Sequence, residues 1–376
     1  MIYLDHNATT PPDDRVREAM GPFLGGFFGN PSSLHRLGRL SRNAIDRARE
    51  QVAALVGARP SQVIFTSGGT EANNLAISGW AAAHPGGLIA VGATEHPSVT
   101  GPAAVWQRRG HPVAQIRVDG LGVLCPLHLR QVLDRRPALV SVMLANNETG
   151  VIQDLAPVAE VARACGATLH SDAVQAAGKM AVDFASLGLQ LMSLSGHKIG
   201  APKGIGALVL DSSVKLEPIL CGGGQEAGMR AGTENVAAIV GFGTAAELAA
   251  RDLGTRQDHL TQLRHRLESG LAGMVGVTLF AAAADRLCNT VQFGCAGIEG
   301  ETLVMLLDRA GIALSSGSAC ASGGGEPSPV LSAMGYPADV AKTAVRASLG
   351  ATTSAADVDG LLHALAGLQP TQARVA

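Results

Sequence analysis

TLHSDAVQAAGKMAVDFASLGLQLMSLSGHK, residues 168–198, decides the fold. It holds two strand-like runs, TLHSDAVQ (168–175) and LQLMSLS (189–195), and each ends in polar residues. Outward from it the pattern repeats. VIFTSG (63–68), LIAVGA (88–93), VAQIRVD (113–119), ALVSVMLAN (138–146) and IGALVLD (205–211) read as strands. TEANNLAISGWAAA (70–83) and LAPVAEVARACG (155–166) read as helices. Short apolar runs alternating with helices predict an α/β domain with a mostly parallel central sheet. In such sheets ligands bind beyond the carboxyl ends of the strands, so the residues just after each strand carry the information.

Farther along, RQDHLTQLRHRLESGL (256–271) places Leu260, Leu263, Leu267 and Leu271 on one helical face, as expected of a helix leading into a second unit. CNTVQFGC (288–295), a helix near 299–310 and VRASL (345–349) predict that this unit is α+β. The expected division is a large domain over 15–257 and a small one made of 1–14 and 258–376. The apolar stretch VAAIVGFGTAA (236–246) reads as a buried helix, and QPTQARVA at the end as frayed.

Bulk composition narrows the function. The chain has 376 residues, 47% hydrophobic but only 3% aromatic, so its core is built from Ala, Val, Leu and Ile. With a net charge of −2 and no basic run, nucleic acid and anionic membrane are poor partners. No segment approaches the ~20 apolar residues of a membrane span. MIYLDHNATTPPDD lacks the features of a signal peptide. Six cysteines, scattered at 125, 165, 221, 288, 295 and 320, form no disulfide framework and fit a reducing cytoplasm. With neither HExxH nor CxxC, no metal site is expected. Cys288 and Cys295, at the ends of one predicted strand, read as core residues.

The polar strand ends are the candidates. Lys198 closes SLSGHK, where a partly desolvated amine can form a Schiff base with an aldehyde cofactor. By itself it reads first as a surface lysine on a loop, and its surroundings reverse that reading. Asp172 stands 26 positions earlier, also at a strand end. A carboxylate there can pair with the protonated ring nitrogen of pyridoxal phosphate, or simply cap a helix. TSGGTEANN (66–74) brings Gly69 and Thr70 to a helix start, where backbone amides can hold a phosphate. His96 in TEHP could stack on a cofactor and move protons, or cap a loop. Asn146 and Asn147 in LANNETG could bond a phenolic oxygen or close a turn.

Cys320 lies in ALSSGSACASGGGEPSPV (313–330), among small residues that offer it no apolar core. A thiol on a soft loop calls for a functional explanation.

Eleven motifs then occur in one order: YLDHNATT, GNPSSLH, FTSGGTEANN, TEHP, ANNETG, HSDAVQAAGK, SLSGHK, PKGIGAL, GGGQEAGMRAGTEN, SSGSAC and VRASLG. With them the chain resembles, nearly end to end, the NifS/IscS-type cysteine desulfurases among the class V aminotransferase-like enzymes. The wording of NNETG, AVQAAGK and RAGTEN is closer to the NifS branch. The resemblance implies the fold of type I pyridoxal phosphate-dependent transferases. It implies Lys198 as the Schiff-base lysine and Asp172 at the pyridinium. Gln175 and Asn147 would serve the phenolic oxygen, and His96 the ring face. Gly69, Thr70, Ser195 and His197 would hold the phosphate. Thr233 would reach the phosphate of a neighbouring subunit in a homodimer, and Arg346 would grip the substrate carboxylate.

Cys320 would take sulfur from L-cysteine as a persulfide, leaving L-alanine, and its loop (about 315–329) would deliver that sulfur to a scaffold for iron–sulfur clusters. Nitrogenase maturation is one such destination. Cys320 as a transient ligand of a cluster stays open. So do a selenocysteine lyase or cysteine sulfinate desulfinase on the same fold, and a sulfur carrier with a vestigial site. The loop after Cys320, ASGGGEPSP, is richer in glycine than is usual in the family, and His6 receives no role.

Overall fold

Side chains alternate between two buried faces in the strands at the centre of this computed structural model, which describes residues 1–317 and 326–368. Cys320 and the terminal QPTQARVA lie outside the described residues. In chain order the described strands are β1 (Ile2–Tyr3), β2 (Val63–Thr66), β3 (Ile89–Gly92), β4 (Val113–Ile116), β5 (Leu139–Ser141), β6 (Thr168–Asp172), β7 (Leu191–Ser195), β8 (Gly206–Leu210), β9 (Val277–Leu279), β10 (Thr290–Cys295), β11 (Ile312–Ala313), β12 (Ser315–Ser316) and β13 (Ala344–Ser348).

The larger sheet has seven strands in the order β2-β8-β7-β6-β5-β3-β4. Only β8 runs against the rest; its antiparallel pairings with β7 and β2 leave those two pointing the same way. The remaining pairings are parallel, so the carboxyl ends of six strands share one edge. Val63, Phe65, Val140, Met192 and Val209 face one apolar cluster, while Ile64, Leu139, Leu191 and Leu208 face the other. Helices cover both faces, which is why these strands read as nearly unbroken apolar runs. Arg36–Leu55 and Val236–Arg251 pack together on the first side; Trp80, fully buried, fills the second.

The second core surrounds the antiparallel sheet β12-β13-β10-β9. Leu260, Leu263, Leu267 and Leu271 of the helix Leu253–Ala272 are all buried there against Val291, Phe293 and Val345. Cys288 belongs to this core and Cys295 packs against it. The N-terminus joins the same unit: β1 pairs with β11, and Asp5 bridges to Ser348.

Two local departures from the expected pattern matter. The strand expected over 138–146 stops at Ser141, although the amides of Val142 and Leu144 still bond to carbonyls of β6. The chain then turns around Asn146, whose Oδ1 accepts from the amides of Glu148 and Thr149. The helix expected from 70 begins at Gly69 and passes through a π-helical turn at Leu75–Gly79. Among the described residues no helix is long and apolar enough to cross a membrane, and no group of three or more His, Cys, Asp or Glu could hold a metal.

Candidate active site

Lys198 ends a short 3-10 turn, Gly196–Lys198, directly after β7. Its Nζ donates to the carbonyls of Asn7 and Ala8, each at 2.7 Å, so the N-terminal segment lies against the amine. Asp172 is the last residue of the neighbouring β6 and is buried. Oδ1 accepts from the amide of Val174 at 2.9 Å and closes a turn; no helix is capped by it. Oδ2 accepts from Asn73 Nδ2 at 2.7 Å.

His96 joins the two readings of its sequence. It is the N-cap of the helix Pro97–Arg108, and it also lines the cavity at the strand ends. Its Nδ1 accepts from the amide of Ser98 at 3.1 Å and lies 2.7 Å from Ser98 Oγ. With Nδ1 an acceptor, the neutral ring carries its proton on Nε2. Burial lowers the pKa of His96, helped by Lys198 and opposed by Asp172. Ser98 Oγ is itself fixed by Asn73 Nδ2 at 2.8 Å.

One cavity of about 480 Å³ brings together Gly69, Thr70, His96, Asn147, Asp172, Gln175, Ser195, His197, Lys198 and Arg346. Thr233 is not part of it and is exposed. Asn147 lines the cavity while Asn146 spends its side chain on the turn and on the carbonyl of Thr94, which separates two asparagines that the sequence left equivalent.

The residues present fit pyridoxal phosphate. A Cβ on Gly69 would stand 2.8 Å from Val174 Cγ2, closer than a Cβ contact allows, so glycine keeps open the cradle that a phosphate would occupy. Ser195 Oγ is buried there without a hydrogen-bond partner among the described residues. His197, also lining the cavity, bonds Thr9 Oγ1 at 3.2 Å, and burial pulls its pKa down to about 4. Asp172 supplies a buried carboxylate with which a protonated ring nitrogen would pair.

Arg346, on β13, closes the cavity from the smaller sheet. Nη2 pairs with Asp5 at 2.7 Å and Nη1 donates to the carbonyl of Asn147 at 2.9 Å. Nε is buried without a partner among the described residues, so a donor is left for an incoming carboxylate. Nearby Glu148 is pushed up to about 7 by burial, against bonds from Ser328 and Gln292. Glu95, beside His96 in sequence, is raised well above the usual carboxylate range by burial.

Residue-by-residue reading of the sequence passed over Asn7, Asn73, Ser98 and Lys179. All four stand inside the motifs quoted above or one residue beyond them, but their side chains support other groups, and spacing alone does not reveal that.

A family model, aminotransferase class-V, matches residues 2–361. The chain is 41% identical to cysteine desulfurase IscS of Dictyoglomus turgidum, over 97% of this chain and 93% of that protein. It is 46% identical to a cysteine desulfurase of Cereibacter sphaeroides, over 97% and 94%. The X-ray structure of a NifS-like protein from Rickettsia africae superposes with a TM-score of 0.89 at 34% identity, covering 98% of this chain and 99% of that one. The chain belongs to the class-V aminotransferase family, among its NifS/IscS-like cysteine desulfurases. Its fold is therefore the type I fold of pyridoxal phosphate enzymes, and pyridoxal phosphate is the cofactor of this desulfurase.

Proposed function

We propose that this desulfurase removes sulfur from L-cysteine, gives L-alanine, and holds the sulfur as a persulfide on Cys320. The observation that carries the reading is the convergence of Lys198, Asp172, His96 and Arg346 on one cavity. When bound, pyridoxal phosphate supplies the electron sink that makes the Cβ–S bond of cysteine cleavable. The chain's own residues do the rest. Lys198 presents its amine at the end of β7 and moves protons there. Asp172 keeps a negative charge at the ring nitrogen, and Gln175 and Asn147 serve the phenolic oxygen. Gly69, Thr70, Ser195 and His197 hold the phosphate. His96 covers the ring with a neutral imidazole whose proton is on Nε2. Arg346 orients the substrate by its carboxylate.

The route to Cys320 starts at the cavity. Ser315 lines it, and Cys320 follows five positions later, within a reach of roughly 17 Å for extended chain. The thiolate is the nucleophile for sulfur transfer.

The same reading extends to the assembly. Thr233 is exposed and away from its own chain's cavity, which supports a homodimer in which it serves the partner's phosphate site. It also includes the division near residue 257, with Cys320 in the smaller domain, a cytoplasmic enzyme, and delivery to an iron–sulfur scaffold protein. The NifS-like wording of NNETG, AVQAAGK and RAGTEN supports nitrogenase maturation as the destination.

The test is sulfide and alanine release from L-cysteine, with pyridoxal phosphate and a thiol reductant, for wild type and Cys320→Ala. Both products from wild type and neither from the variant is the expected result. Equal turnover by the variant removes Cys320 from the mechanism.

A further inference from the structure

Lys179 is a buried amine that the proposed chemistry does not use. The chain brings it inward just after Gly178, where φ is +75° and a Cβ would stand 2.8 Å from Ile199 Cγ2. Its Nζ donates to Gln175 Oε1 at 2.6 Å and to Asn7 Oδ1 at 2.7 Å. Both acceptors are neutral amide oxygens.

In its protonated form the amine has only donors, so the amide atoms that face it in that form are oxygens. That sets the direction of both amides. With Oε1 held by Lys179, Gln175 turns Nε2 to the carbonyl of Asn7 at 3.0 Å. An amide nitrogen has a second N–H, which remains for a ligand in the cavity that Gln175 lines. With Oδ1 held by Lys179 and by Asn289 Nδ2, Asn7 donates from Nδ2 to Thr290 Oγ1 at 2.9 Å and to the carbonyl of Asn147 at 3.2 Å. That carbonyl also receives Arg346, and the carbonyl of Asn7 receives Lys198. One buried amine thus stands behind groups that meet the cofactor and the substrate.

We propose that Lys179 is a positioning residue that fixes the amide of Gln175, so that its N–H rather than its oxygen meets the cofactor's phenolic edge. The proposal rests on the reading of Gln175 as that donor. Among the described residues Lys179 is the one donor to Gln175 Oε1. Without it the amide keeps a single anchor, and a rotated amide would set oxygen against oxygen. Burial holds the amine near a pKa of about 7, with Lys198 next in effect, which is the cost of placing a donor here without a carboxylate.

The experiment compares Lys179→Met, Gln175→Leu and the double variant in the full-length holoenzyme. Two quantities are read: the dissociation constant for pyridoxal phosphate, and the visible absorption of the bound cofactor with its pH midpoint. The expected result is that each single change weakens cofactor binding about tenfold, as for loss of one hydrogen bond to a charged group. Both should shift the absorption in the same direction, and the double variant should add nothing to Gln175→Leu. Effects that add in the double variant, or an absorption that moves in Gln175→Leu but not in Lys179→Met, overturn the proposal and leave Lys179 a packing residue. An unmoved absorption in Gln175→Leu overturns it differently, by removing Gln175 from the phenolic edge. If Lys179→Met does not fold, Lys179→Ala with added methylamine takes its place, and recovery of the absorption by the amine is the expected outcome. Absence of any recovery counts against the role.

Discussion

Asn73 and Asp172, 99 positions apart, are joined by a hydrogen bond of 2.7 Å from the amide of one to Oδ2 of the other. The same nitrogen spends its second N–H on Ser98 Oγ at 2.8 Å, and Ser98 is the partner of His96. A single side chain therefore orients both the Asp172 carboxylate and, through Ser98, the His96 imidazole, the two groups proposed to meet the cofactor ring. Its own Oδ1 is buried without a partner among the described residues, so the amide is placed for its donors.

Asn73→Ala should therefore weaken cofactor binding more than its distance from the reacting atoms suggests. Two donors are lost, one of them to a carboxylate, and such bonds contribute roughly 1.5–3 kcal/mol. The expected rise in the dissociation constant for pyridoxal phosphate is about ten- to a hundredfold. Equilibrium titration of the apoenzyme measures it; an unchanged constant would show that Asp172 is held well enough by the amide of Val174 alone.

Arg346→Lys tests the other end of the cavity. A lysine keeps the charge but loses the fork, and it cannot serve Asp5, Asn147 and a substrate carboxylate together. The expected effect is a rise in KM for L-cysteine of about tenfold or more, with a smaller change in kcat and an unchanged cofactor spectrum. Steady-state kinetics decide it. A loss confined to kcat would place Arg346 in the chemical step instead.

The fold was largely legible because its strands are buried on both faces, which leaves apolar runs with polar ends. Leu139 and Val140 face opposite clusters, yet both read simply as apolar. The strand boundary at Ser141 was not legible, since Val142, Met143 and Leu144 continue the apolar run while the backbone turns away from regular pairing. Asp172, Lys198 and His96, which line one cavity, were singled out because strand ends are where ligands bind. Asn7 was not, because it is on no strand end of the large sheet; it is threaded under Lys198 from the N-terminus by contacts with Ser348, Thr290 and Asn289. Such long-range joints leave no periodic trace.

Glu226 supports the segment that leads to Thr233. Its carboxylate receives both terminal nitrogens of Arg49 at 2.7 Å and the amide of Phe65 at 2.8 Å, with the backbone at φ +47°. The side chains are 16% and 2% exposed, so neither charge is well solvated once its partner is gone. Glu226→Ala is expected to destabilise the fold by about 3–5 kcal/mol. Asp359→Asn, at the exposed and solvent-screened pair with Arg266, should cost far less. Urea unfolding of both variants makes the comparison, and equal effects would contradict it.

His170 links stability to pH. It is fully buried between Ser141 Oγ at 2.8 Å and Ser193 Oγ at 3.1 Å, and burial lowers its pKa to about 3. In the unfolded chain it titrates near 6.5. Between these values the unfolded state binds more protons, so this contribution is full above the unfolded value and is lost as pH falls toward 3. Going from pH 6.5 to 4.5, it amounts to about 2 kcal/mol of lost stability. Glu148 acts oppositely: its pKa is raised to about 7, so its contribution is full below 4.5 and is lost as pH rises through 7. The wild-type curve mixes the two, and the difference between wild type and His170→Gln separates them. That variant is expected to be less stable than wild type at pH 6.5, with the gap narrowing by about 2 kcal/mol at pH 4.5. Chemical denaturation at the two pH values measures the gap, and a gap that stays constant would mean that folding leaves the His170 pKa unchanged.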